Sequence, residues 1–294
     1  MNEHEFLAQR FEEHRPRLRA VAYRMLGSLS EADDAVQEAW LRLSRAGADE
    51  VDNLGGWLTT VVGRVCLTML RSRGRRAEES LETHVPDPVV DGPGGLGTGD
   101  PEERALLADS VSLALLVVLE TLSPAERLAF VLHDLFALPF DDIAPLVGRS
   151  TQATRQLASR ARRRVRGAAP ASDADLATQR RVVDAFLTAA RGGDLEGLLA
   201  VLDPDVVLRS DGGARGPTTV VRGARSVAEG AIAFGRGGSG GGRPVLVNGA
   251  AGAAAWRDGR VVSVASFTVA GGRVVDMTIL ADPERIAALG LTGP

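Results

Sequence analysis

The residues of this chain best suited to chemistry are arginines and glutamines at helical spacing. Arg149, Gln152, Arg155, Gln156, Ser159 and Arg160 recur every three or four positions, so they share one face of a helix. Arg and Gln can each make two hydrogen bonds to one base edge in the major groove. Arg162, Arg163, Arg164 and Arg166 follow and suit phosphate oxygens, which position a protein on DNA without reading its sequence. The positioning elements precede them. Ile143 and Ala144 lie on a short helix, Gly148 supplies a turn and Ser150 can cap a second helix. Ala153, Leu157, Ala158 and Ala161 are its expected buried side, with the polar Thr154 at a usually aliphatic position. This pattern reads as a helix-turn-helix.

A second basic block lies upstream. Residues 53–77 carry 5 Arg and no acid, on a helix expected from Leu54 or Trp57 to Ser72. The polar loop before it, 46–56, holds Asp49 and Asn53. A loop beside a basic helix can hold an unstacked base. Between the blocks, residues 78–109 carry 1 Arg against 9 acids. That segment either lies in a positively charged channel or serves as a solvated tether. Two basic blocks flanking an acidic segment point to two contacts with a polyanion.

Other chemistry is thinly supplied. Asp211, Asp258 and Asp276 could act as general acids or bases, but the 4 histidines all precede residue 167. An Asp–His dyad cannot be built from the C-terminal part alone. The 1 cysteine, Cys66, excludes an intrachain disulfide and a Cys-cluster zinc site. No catalytic residue, metal site or cofactor is assigned. The 34 basic residues are all arginine, which with the Ala, Gly and Val richness reads as the codon bias of a GC-rich genome. The sequence has no apolar run of membrane-spanning length and a polar start, so a cytoplasmic, non-membrane protein is expected.

The 294 residues suffice for more than one domain. Helical periodicity runs through 1–77 and 102–167, with a Pro/Gly-rich acidic linker at 78–101. Ser30 is the expected cap of the second helix, and helices are expected near 102–122, 124–135, 140–146 and 150–166. After a short linker at 168–177, residues 178–294 change character. Helices come first, then β-rich runs punctuated by Asp258-Gly259 and Gly271-Gly272, which read as antiparallel hairpins. The fold class is multidomain: two all-α regions, the second with a helix-turn-helix, then an α+β domain with a curved sheet.

Asp33-Asp-Ala-Val-Gln-Glu-Ala-Trp-Leu-Arg-Leu and Gly56-Trp-Leu-Thr-Thr-Val-Val-Gly-Arg-Val-Cys-Leu-Thr-Met-Leu-Arg-Ser-Arg resemble region 2 of an extracytoplasmic-function sigma factor of the sigma-70 family. Leu122-Ser-Pro-Ala-Glu-Arg-Leu-Ala-Phe-Val-Leu-His-Asp and the helix-turn-helix resemble region 4. Residues 178–294 resemble the SnoaL-like, NTF2-like extension of the SigJ-type subgroup. His84-Val-Pro-Asp-Pro-Val-Val, Asp211-Gly-Gly-Ala-Arg and Asp282-Pro-Glu-Arg-Ile match that subgroup's motifs. Thr68 departs from an Asp common in region 2.

The resemblance implies roles. Asp34, Gln37, Glu38 and Arg42 would dock the β′ clamp helices of core RNA polymerase, whose β flap is a further expected contact. Asn53, in the loop before Trp57, with Arg64, Arg71 and Arg73, would engage the −10 region of promoter DNA. Arg155, Gln156, Ser159 and Arg160 would read the −35 element. Pro86, Asp87, Asp211, Gly212, Gly213, Arg215, Asp282 and Pro283 would make a regulatory contact between the C-terminal domain and the sigma core or its linker. The free protein is expected to be a monomer. Two other readings compete: a ligand-sensing DNA-binding regulator that does not replace a sigma subunit, and an NTF2-like isomerase or hydrolase. A small-molecule ligand of the C-terminal domain is left open.

Overall fold

A computed structural model describes residues 3–46, 53–76, 85–92, 101–108, 111–168, 172, 174–212, 218–236 and 242–291. The chain divides into two compact units: residues 1–82 with 118–168, and 83–117 with 169–294.

The first unit is helical. It begins with α1 (Glu3–Leu26), α2 (Leu29–Ala46) and α3 (Leu54–Arg76). Phe11, Leu18, Tyr23, Met25, Val36, Leu43 and Leu58 are buried among them. Each such side chain contributes about 1.5–3 kcal/mol of hydrophobic stabilisation. Gly27 ends α1 in the left-handed conformation, at φ 68°. The residue that caps α2 is Ser28, whose Oγ accepts from the Glu31 amide at 3.5 Å, and Ser30 already lies inside the helix.

The helix expected over 102–122 is broken into α4 (Pro101–Ala108) and α5 (Leu113–Glu120). A capping box of Ser123 and Glu126, with Pro124 in the first turn, then starts α6 (Pro124–Phe130). A π-helical turn, Val131–Leu135, continues it. α7 (Phe140–Val147) and α8 (Thr151–Ala168) form the helix-turn-helix. Gly148 makes the turn at φ 67°, and Ser150 Oγ accepts from the Ala153 amide at 3.2 Å.

The second unit carries the sheet. Besides α4 and most of α5, its helices are α9 (Leu176–Gly192), α10 (Leu195–Val201), α11 (Ala224–Arg236) and α12 (Pro283–Ala288). Its strands are β1 (Val90–Asp91), β2 (Leu202–Asp211), β3 (Thr219–Arg222), β4 (Gly242–Val247), β5 (Ala250–Arg257), β6 (Arg260–Ala270) and β7 (Arg273–Leu280). Among the described residues they form one sheet ordered β1-β4-β5-β6-β7-β2-β3. Only β2 and β7 run parallel; the other neighbours are antiparallel. Asp258-Gly259 and Gly271-Gly272 turn the two expected hairpins. Asp258 and Gly259 have φ of 52° and 74°, as a tight primed turn requires. Asn248-Gly249 makes a third in the same way.

One sheet face packs on α9, α10 and α11 through Phe186, Leu198, Val227, Phe267 and Met277. The other holds Val245, Val247, Val264, Leu280 and Ile286, closed by Val85 and Val90. Those two valines come from the segment read as an irregular acidic linker. Its edge strand β1 was not expected.

Candidate nucleic-acid interface

α8 sorts its residues cleanly. Thr154, Ala158 and Ala161 are buried, whereas Gln152, Arg155, Gln156, Ser159 and Arg160 are exposed. Ala153 and Leu157, expected inside, are half-buried. Thr154 is tolerated there because its hydroxyl donates to the Ser150 carbonyl at 3.0 Å, which satisfies it locally.

The arginines of α8 are not equivalent. Arg160 and Arg164 pair with Glu126 at 3.4 and 3.3 Å, and Arg162 pairs with Asp134 at 2.6 Å. Arg155 lies over the Phe140 ring, while Arg163 and Arg166 are exposed. Acids supplied by α6 and the π turn thus orient part of the basic face, and the residue spacing gave no sign of it.

On α3, Arg64 and Arg71 are exposed. Arg73 instead ion-pairs with Glu31 and donates to the Leu26 carbonyl at 3.1 Å, tying the end of α3 to the α1–α2 corner. Asn53 caps α3: its Oδ1 accepts from the Gly56 amide at 2.9 Å. It stands at the edge of a polar cavity of about 520 Å³ that Arg10, His14 and Arg17 also line. Phe136, Leu138 and Pro139 contribute to its wall. The rest of the loop, including Asp49, lies outside the described residues. Cys66 is buried, and burial pushes its thiol far up, so it is not a nucleophile.

On α2, Asp34 and Gln37 are exposed, and Glu38 accepts from Arg42 at 3.0 Å one turn on. Leu41 is exposed beside them, an apolar position that the stripe of Val36, Ala39, Trp40 and Leu43 leaves outside the core. α6 and the π turn pack directly on α3. A Cβ on Gly63 would meet Leu128 and Leu132 at 3.3 and 3.2 Å, so glycine permits the close approach. The buried Arg127 donates to the Leu119 and Met25 carbonyls at 2.7 Å each and pairs with Glu120 at 3.0 Å.

The expected regulatory residues of the second unit converge on one side chain that the motif match contained but did not single out. Arg285 donates to Asp87 at 2.9 Å, Asp211 at 2.8 Å and the Val85 carbonyl at 2.6 Å. Asp282 accepts from the Glu284 and Arg285 amides at 2.8 and 3.0 Å, with Pro283 in the first turn, so this cap aims Arg285. Pro86 is buried beside them and Gly212 is half-buried. Gly213 and Arg215 lie outside the described residues. The strand pairing of β1 with β4 and a reciprocal pair of bonds between Val89 and Asn248 hold the same segment.

The three candidate acids do not gather. Asp258 sits in a hairpin turn. Asp211 is engaged by Arg285. Asp276 pairs with Arg209 at 2.5 Å, and its burial raises the carboxyl above its ordinary value despite that partner.

The comparisons with known proteins agree with this architecture. The family description Sigma-70 region 2 matches residues 10–76, and Sigma-70, region 4 matches 112–165. The chain belongs to the extracytoplasmic-function family of RNA polymerase sigma factors, non-enzymatic subunits that direct promoter recognition in the cytoplasm. It is 40% identical over 291 residues to the ECF RNA polymerase sigma factor SigJ of Mycobacterium tuberculosis, covering 94% of this chain and 91% of that one. The probable ECF RNA polymerase sigma factor SigI of the same organism is 41% identical over 206 residues, 70% of each chain. The crystal structure of M. tuberculosis SigJ superposes with a TM-score of 0.77 at 35% identity, covering 97% of this chain and all of that one.

Proposed function

We propose that this sigma factor reads the −35 element with Arg155, Gln156, Ser159 and Arg160. In the same reading it traps the −10 element beside Asn53, holding flanking phosphates with Arg64 and Arg71. Asp34, Gln37, Glu38, Leu41 and Arg42 form the face that meets the β′ clamp helices, and region 4 meets the β flap. The free chain is a monomer. The C-terminal domain modulates initiation in cis by holding the 85–92 segment.

The observation that carries this reading is Arg285. One guanidinium gathers the Asp211 carboxylate together with the Asp87 carboxylate and Val85 carbonyl, 198 and 200 residues before it, and its side chain is 21% exposed. A segment held that firmly cannot take another path without breaking the contact.

The packing of α3 on α6 adds a second requirement. DNA elements about 25 base pairs apart are separated by roughly 85 Å at 3.4 Å per pair. Regions that touch through Gly63 cannot span that distance, so they part on engaging promoter DNA. Parting also removes the Phe136–Pro139 wall from the polar cavity beside Asn53.

Transcription reconstituted with core polymerase and genomic DNA tests the assignment. Arg155→Ala with Gln156→Ala should abolish starts that depend on the −35 sequence while leaving core binding intact. Unchanged start sites would overturn the −35 assignment.

A further inference from the structure

The second unit holds a pocket of about 410 Å³, open to solvent at one side, between its sheet and helices α9 and α11. The promoter-directing surfaces make no use of it. The buried Phe186, Phe267 and Met277 are part of its wall, and the small side chains of Ala253, Ala255 and Ala265 on the central strands leave space beside them. The volume falls within the roughly 300–1,000 Å³ of sites that take small molecules.

The lining defines the chemistry. Apart from its rim it is apolar. Three serines line it: Ser226 is an exposed residue of α11, whereas Ser210 and Ser263 stand on the sheet wall, and neither of these two makes a side-chain hydrogen bond among the described residues. These two stand on β2 and β6 with β7 between, so about 10 Å separates their strands. No acidic side chain lines the cavity among the described residues, and the exposed Arg191 is its one charged contributor. Asp276 alternates with the lining Met277 and therefore lies on the opposite sheet face. This arrangement binds and does not catalyse.

We infer that the C-terminal domain is a receptor for an uncharged, largely apolar small molecule. The occupant has on the order of ten to twenty non-hydrogen atoms, from the cavity volume. It carries two hydrogen-bonding oxygens spaced to reach Ser210 and Ser263.

The test uses the full chain and the neutral fluorophore N-phenyl-1-naphthylamine. Its fluorescence should rise saturably at one site per chain, and 2,6-dihydroxynaphthalene should displace it. Ala255→Leu and Ala265→Leu fill the cavity from different strands, and each should weaken probe binding at least tenfold while far-UV circular dichroism is retained. Ser263→Ala should leave the fluorophore within twofold and weaken the dihydroxy competitor about tenfold. Independently of any variant, hydrogen exchange of the wild-type chain should show probe protection in α11 and β6. Absence of saturable binding, equal binding by both filled variants, or protection confined to the helical unit would overturn the proposal.

Discussion

The arginines of α8 and Arg285 meet carboxylates in opposite settings. On α8, Arg160 and Arg164 are more than half exposed where they pair with Glu126. Glu126 itself is 12% exposed, so the contrast lies in the guanidinium groups: one this open to water is screened by salt and gains about 0–1 kcal/mol from its pair. Such pairs orient the side chains and exchange readily for phosphate. Arg285 is enclosed, with partners at 11% and 13% side-chain exposure. Removing one member of such a cluster strands the others in a poorly solvated place. The same residue type therefore serves as a loosely held reader in one unit and as a fixed clasp in the other.

That contrast is most sharply tested at the clasp. Arg285→Ala should cost about 3 kcal/mol of docking energy for the 85–92 segment. Limited proteolysis should then cut within 85–92 at least tenfold faster, with α8 unaffected. Next is the close approach within the helical unit. Gly63→Leu forces Leu128 and Leu132 apart at a cost of about 1–3 kcal/mol, so region 2 and region 4 should separate in the free chain. A spectroscopic distance between labels on α3 and α8 would register it; an unchanged distance would mean that the packing is not set there.

Smaller effects belong to the readers. Arg163→Ala removes one exposed cation, so binding to every duplex sequence should weaken similarly and the salt slope should fall by about 1. The smallest concerns Asp276. Burial raises its carboxyl above the unfolded value, so its contribution to stability is present in acid and is lost as pH rises through the folded value. Asp276→Asn should flatten that decline above pH about 4, measured as the denaturant midpoint against pH.

Much of this architecture was legible in the residues. The helix-turn-helix register follows from Gly148, Ser150 and the alternation of Arg/Gln with Ala. The hairpins follow from Asp-Gly and Gly-Gly between β-rich runs. What escaped depends on partners distant in sequence. Val85 and Val90 read as part of a Pro-rich acidic tether, and only the far face of the sheet, with Ile286 of α12, makes them core. Arg73 lies in the basic end of α3, and no spacing along that helix shows that in the free chain it pairs with Glu31 and the Leu26 carbonyl. The acids that orient α8 lie on another helix, so no spacing along α8 reveals them. Ser28 rather than Ser30 caps α2 because α1 ends at Gly27 and leaves only one residue before the next helix.

The proposed role of the C-terminal domain is to govern initiation through its hold on the 85–92 segment. The most direct measurement is reconstituted transcription with core polymerase, comparing the wild-type chain with Arg285→Ala and mapping RNA 5′ ends. The expected result is the same set of starts, sharing −35 and −10 sequences, with the yield per sigma changed at least severalfold. Equal yields from a variant whose linker is demonstrably released would contradict it.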